Sequence, residues 1–99
     1  MDRESNLSWL QNWFFDHYDS DFDYAQEVKI EAIDNPGWHL QIDLEGTELE
    51  GKSFEAIQID NGDDWLVCKV ENDMYDACGD SFKLDEMIGV FRRWASENE

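Results

Sequence analysis

Asp34-Asn35-Pro36-Gly37-Trp38-His39-Leu40-Gln41-Ile42-Asp43-Leu44 places a turn and a strand in immediate succession. Pro36 presets φ for the second position of a turn, and Gly37 accepts positive φ at the third. From there Trp38, Leu40, Ile42 and Leu44 alternate with His39, Gln41 and Asp43, the period of a strand with one buried and one wet face. Upstream, residues 28–33 are rich in β-branched side chains. The two segments therefore predict a hairpin closed by the Asp-Asn-Pro-Gly turn.

Further along, residues 46–51 read as a polar connection containing Glu48 and Glu50, and residues 54–59 as a third strand. That strand ends at Asp60-Asn61-Gly62-Asp63, where Asn-Gly signals a second hairpin. Residues 65–70 supply a fourth strand. Beyond the polar Glu71-Asn72-Asp73 turn, residues 74–78 have the composition of a short fifth.

The two ends of the chain change period. Over residues 6–18, Leu7, Leu10, Phe14 and Tyr18 recur at helical spacing, with Trp9 and Trp13 on a neighbouring stripe. Ser5 or Asn6 can cap that helix, and Asp19-Ser20-Asp21-Phe22-Asp23 ends it, because short acidic side chains favour turns. Leu84, Met87, Ile88, Phe91 and Ala95, with Trp94 beside them, mark a second helix. Its first turn holds Asp85 and Glu86, as the helix dipole favours, and Arg92 and Arg93 come late. The order predicts an α+β fold: an antiparallel sheet of four or five strands in meander order, with the N-terminal and C-terminal helices packed on one face. One domain over residues 1–99 is expected, since a chain of this length has room for one core.

Charge sets the class of partner. The chain has 25 Asp and Glu against 7 Lys and Arg, a formal net charge of -18. Such a surface repels phosphate backbones and anionic leaflets and attracts cationic ones, which argues against direct nucleic-acid binding and membrane association. Disorder is not expected, because the hydrophobic share is 41% and five tryptophans are spread along the chain. No signal peptide is apparent, no stretch approaches the roughly 20 apolar residues of a membrane span, and only Cys68 and Cys78 are present. These features predict a cytoplasmic protein whose thiols are reduced and buried.

Catalytic and metal chemistry find little support in the spacing. Zinc ligands usually come in pairs a few residues apart, yet neither cysteine has a Cys or His within four residues. Asp19, Asp21 and Asp23 imitate the opening of a calcium loop, but Tyr24 and Ile30 stand where that loop needs Gly and a bidentate Glu. The serines lie in no Gly-x-Ser-x-Gly elbow, and no phosphate-cradling glycine loop is present. The expectation is a protein with no enzymatic activity, no metal and no cofactor.

Several segments together resemble one family. They are Trp9-Leu10-Gln11-Asn12-Trp13-Phe14, Asp34-Asn35-Pro36-Gly37-Trp38, Ile42-Asp43-Leu44-Glu45-Gly46-Thr47-Glu48-Leu49, Asp64-Trp65-Leu66-Val67-Cys68-Lys69-Val70-Glu71 and Phe91-Arg92-Arg93-Trp94. The chain is similar over nearly its whole length to the bacterial immunity protein 53 family. The resemblance implies an α+β protein that protects a bacterium from the toxin of a polymorphic toxin system by binding it, without catalysis or cofactor. After the first helix, family members often carry a small link with Gly and Trp, where this chain has Asp19-Ser20-Asp21-Phe22-Asp23-Tyr24.

The reading that follows is an immunity protein whose acidic surface meets a basic toxin domain, for instance a nuclease, and blocks it sterically and electrostatically. Asp16, Asp19, Asp21 and Asp23 after the first helix, and Asp60, Asp63 and Asp64 at the Asn-Gly turn, are the candidate partner-binding carboxylates. Trp9, Trp13, Asn35, Pro36, Gly37, Trp38, Trp65 and Trp94 are expected to build the fold. The alternative is an acidic nucleic-acid mimic, such as a phage-type inhibitor, whose carboxylates imitate phosphates for a DNA- or RNA-binding protein.

Overall fold

The computed structural model describes residues 4–17, 27–34 and 36–98. Within them lie two helices and five strands: α1 (Asn6–His17), β1 (Val28–Ile33), β2 (Gly37–Asp43), β3 (Ile57–Asn61), β4 (Asp64–Glu71), β5 (Met74–Asp80) and α2 (Leu84–Glu97). Ser5 caps α1, its Oγ accepting the Ser8 N–H at 3.0 Å. Tyr18 falls outside the described residues.

The turns obey local chemistry, with two departures from the reading above. In the β1–β2 hairpin Ile33 pairs with Gly37, so the connection is residues 34–36 and Gly37 opens the strand. Gly37 is not among the residues with positive φ. It must be glycine for another reason: a Cβ there would stand 2.2 Å from the carbonyl oxygen of Gly79 on β5. In the β3–β4 hairpin Asn61 pairs with Asp64, leaving Gly62 and Asp63 as the loop, with Gly62 at φ 75°. Glycine at the first central position suits the right-handed strand twist. Between β4 and β5, Asn72 and Asp73 have φ of 56° and 57°, a conformation that Asn and Asp adopt more readily than other side chains.

The sheet is antiparallel, but its order β1-β2-β5-β4-β3 is not a meander. Strand β5 inserts beside β2, and β3 is displaced to the edge. Residue character explains this. Strand β3 presents Gln58, Asp60 and Asn61 and is exposed along most of its length, so a central place would bury polar groups without partners. Strand β5 presents Tyr75, Ala77 and Gly79, all buried. It runs through residue 80 and is the middle of the sheet rather than a marginal addition. The chain reaches β3 from β2 through residues 44–56, of which Leu44 and Leu49 are fully buried, so this connection is anchored in the core rather than merely polar. Phe54 and Ala56 precede the third strand, which begins at Ile57.

One face of the sheet carries Leu40 and Ile42 of β2, Leu66 and Cys68 of β4, and Tyr75 and Ala77 of β5, all buried. Helix α2 lies on it with Met87, Ile88, Phe91, Trp94 and Ala95 inward, and the Tyr75 hydroxyl donates to the Met87 carbonyl at 2.8 Å. Helix α1 packs against α2 through Trp9 and Trp13, whose rings meet Phe91 at centroid distances of 5.9 and 5.0 Å. The inward side draws on both stripes: Leu10 and Trp13 are buried and Trp9 half-buried, whereas Leu7 is 51% exposed. Arg92 does not cap the end of α2, whose last turn holds no basic residue. It donates instead to the Glu4 carbonyl and to Asn6 Oδ1 at the start of α1.

The remaining tryptophans latch connections. Trp94 Nε1 donates to the Ser53 carbonyl at 2.9 Å and Trp38 Nε1 to the Ser81 carbonyl at 3.1 Å, while Trp65 is half-buried on β4. Of the motif residues expected to be structural, Asn35 lies outside the described residues.

The close approach at Gly37 is testable. Because the atom in the way is backbone, Gly37→Ala should lower stability by about 1–3 kcal/mol, read as a lower urea midpoint with unchanged slope.

Candidate functional site

The carboxylates proposed for partner binding separate into two regions. Asp16 is exposed at the end of α1 and lines a cleft of about 590 Å³ with Glu4, Trp13, His17 and Glu48. His17 is fixed there: its ring stacks on Trp13 at 4.3 Å, Nδ1 lies 2.8 Å from the Trp13 carbonyl, and Nε2 lies 3.0 Å from Glu48. Trp13 Nε1 is buried without a hydrogen-bond partner among the described residues. Asp19, Asp21 and Asp23 lie outside the described residues.

The second region is the β3–β4 turn. Asp60 and Asp63 are exposed and have no ion-pair partner among the described residues. Asp64 is instead engaged by Lys83, the residue before α2. Lys83 Nζ also donates at 2.8 Å to the buried Asp80, whose carboxylate further accepts the N–H groups of Trp65 and Phe82, each at 2.9 Å. The Lys83 ammonium and these N–H donors hold the Asp80 carboxyl down to about 2. Asp64 first, and Asp80 next, hold the Lys83 ammonium above its ordinary value. Asp80 thereby joins the start of β4 to the loop before α2, and on that loop Phe82 is 91% exposed. An aromatic ring so fully presented to solvent next to an acidic turn was not singled out from sequence, since one Phe in a loop carries no periodicity.

The fold does not bring the two regions together. Lys83 precedes α2 and Asn98, in the wall of the cleft, follows it. With 14 residues in the helix, the acidic turn and the cleft stand roughly 20 Å apart along it.

The sheet face opposite α2 holds a third cluster. His39 on β2 pairs with Cys78 on β5 and with Glu31 on β1. A hydrogen bond of 2.8 Å joins His39 Nε2 to Asp76 Oδ1, and Nδ1 lies 3.5 Å from Glu31 Oε1. One ligating atom from each of His39, Asp76 and Cys78 lies within 4.8 Å of the other two. Cys78 is half-buried rather than a core residue, unlike Cys68. Burial first, and Asp76 second, push its thiol up, with Lys69 opposing. That is the reverse of what an attacking thiolate needs.

Comparison with known proteins gives one finding. The family model described as Immunity protein 53 matches residues 7–96 of the 99-residue chain. Among curated proteins and among solved structures, nothing matches the chain. No helix among the described residues is long and apolar enough to cross a membrane.

The Asp80 corner has a pH signature. A lowered carboxyl pKa contributes stability that is present above the unfolded value of 3.8 and lost as pH falls through about 2. The stability deficit of Asp80→Asn, measured by urea unfolding, should accordingly be largest above pH 3.8 and close towards pH 2.

Proposed function

Because the chain belongs to the immunity protein 53 family, we propose that it binds and neutralises a cognate bacterial toxin domain. The match over residues 7–96 is the observation that carries this reading. The charge of -18 selects a basic partner, with a nuclease domain the natural example, since such domains must themselves present cations to phosphates. Neutralisation takes place in the cytoplasm, as part of a polymorphic toxin system, and by occlusion rather than catalysis.

The β3–β4 corner suits the role of a docking point. Phe82 offers a large apolar anchor of the type that supplies binding energy once desolvated. Asp60 and Asp63, on the turn that Lys83 and Asp80 tie to the same loop, are exposed carboxylates that steer a cationic surface and set the register. Asp16 and Glu48, at the cleft, offer a second point of attraction.

The test is calorimetric titration of the purified chain with the toxin domain encoded beside it. One-to-one binding is expected; absence of binding would overturn the reading, and capture of unrelated nucleic-acid-binding proteins would favour a phosphate mimic instead. Phe82→Ala should weaken binding by about tenfold or more. The double reversal Asp60→Lys with Asp63→Lys should weaken it further and flatten its salt dependence. If none of these substitutions changes affinity, the corner is not the interface.

A further inference from the structure

We propose that His39, Asp76 and Cys78 form a binding site for a Zn²⁺ ion on the sheet face opposite α2. The three residues come from adjacent central strands. His39 and Cys78 are register partners on β2 and β5, and Asp76 lies two residues from Cys78, so it points to the same face. Sheet hydrogen bonding on both sides fixes these backbones. The ligand set is therefore held by the most constrained part of the molecule and not by a loop.

The distances suit the ion. Zn–S of about 2.3 Å and Zn–N or Zn–O of about 2.0–2.2 Å, at tetrahedral angles, place neighbouring ligand atoms about 3.5 Å apart. The His39–Asp76 contact of 2.8 Å has to open slightly, and since every separation is within 4.8 Å, none has to close by more than about 1 Å. Small side-chain rotations supply both. A metal in this position replaces the proton now shared between Nε2 and the carboxylate.

A second, independent contact completes the arrangement. The free ring nitrogen of a metal-bound histidine is ordinarily held by a carboxylate or carbonyl, which fixes the tautomer and the ring plane. Here Glu31 Oε1, on β1, stands 3.5 Å from His39 Nδ1, while Asp76, on the opposite neighbour β5, engages Nε2. Glu31 is thus a positioning residue, and Nε2 is the ligating atom. One thiolate, one imidazole and one carboxylate form a borderline-soft set that selects Zn²⁺ over Mg²⁺ or Ca²⁺. Three protein ligands on an open face leave the fourth position to water.

This inference does not rest on the toxin-binding reading and is tested without a partner. The reduced, chelator-treated protein is titrated with Co²⁺, whose bond to a thiolate gives a charge-transfer absorption that carboxylates alone cannot produce. One equivalent should produce that band together with the visible bands of tetrahedral cobalt, and one equivalent of Zn²⁺ should abolish both. Cys78→Ser should remove the charge-transfer band. His39→Ala should lose the tetrahedral spectrum, and Glu31→Gln should weaken binding by about 10–100-fold while keeping it. Circular dichroism confirms that each variant is folded; all three positions lie on the open face, away from the α2 core. A charge-transfer band that survives Cys78→Ser, or Co²⁺ uptake with only the weak octahedral spectrum of scattered carboxylates, would overturn the assignment.

Discussion

Phe91 is the side chain on which the layers depend. It is fully buried, and rings from each layer close around it: Trp9 and Trp13 of α1, Tyr75 of β5 and Trp94 of its own helix, at centroid distances between 5.0 and 6.1 Å. Two of these contacts are edge-on, the geometry that adds about 0.5–1.5 kcal/mol per pair beyond the area buried. Helix α1 has no strand ladder to hold it. Its attachment is this ring cluster and buried Leu10, the His17–Glu48 contact, and the polar clasp in which Arg92 and Asp85 engage Asn6 and Arg92 the Glu4 carbonyl.

Such a core works against the chain's own charge. With 25 acidic residues the compact state repels itself, and the basic residues offset little of this because several are already committed to near neighbours. Lys83 is held between Asp64 and Asp80, Lys29 lies against Glu31 and Lys69 against Glu71. The last two pairs are exposed and contribute about 0–1 kcal/mol each. The Lys83 arrangement differs, since one of its carboxylates is buried and also ties two backbone N–H groups together. Aromatic burial, rather than ion pairing, therefore maintains the fold.

Much of this could be read from the chain. Periodicity located the elements better than their ends: β1 has the expected bounds, and the alternation from Trp38 to Asp43 became part of β2, with Leu40 and Ile42 inward. What periodicity cannot give is which strand lies beside which. Strand β5 mixes Gly79 and Ala77 with Asp76 and Asp80, and its small residues look like weak strand formers until α2 is seen lying on them. The same blindness governed the sites. That Asp60 and Asp63 are exposed at a turn could be read because turn chemistry is local, whereas Asp64 looked equivalent until Lys83, nineteen residues away, took it up. His39 and Cys78 are far apart along the chain and opposite one another in the sheet, so a search for closely spaced ligands passes over them.

The same repulsion that the core must overcome links partner binding to stability. On the proposed reading, cations brought to the acidic turn and to the cleft relieve repulsion that the free protein carries, which couples binding to folding. A partner at a thousand times its dissociation constant adds about 4 kcal/mol to the folded state. On that reading, neutralising Asp60 and Asp63 would relieve repulsion in the free chain and at the same time weaken the field that speeds encounter. Their separation is compatible with a single contact. An interface of ordinary size covers about 800 Å² on each partner, a patch roughly 30 Å across. The acidic turn and the cleft stand roughly 20 Å apart along α2, which is within the span of one such patch.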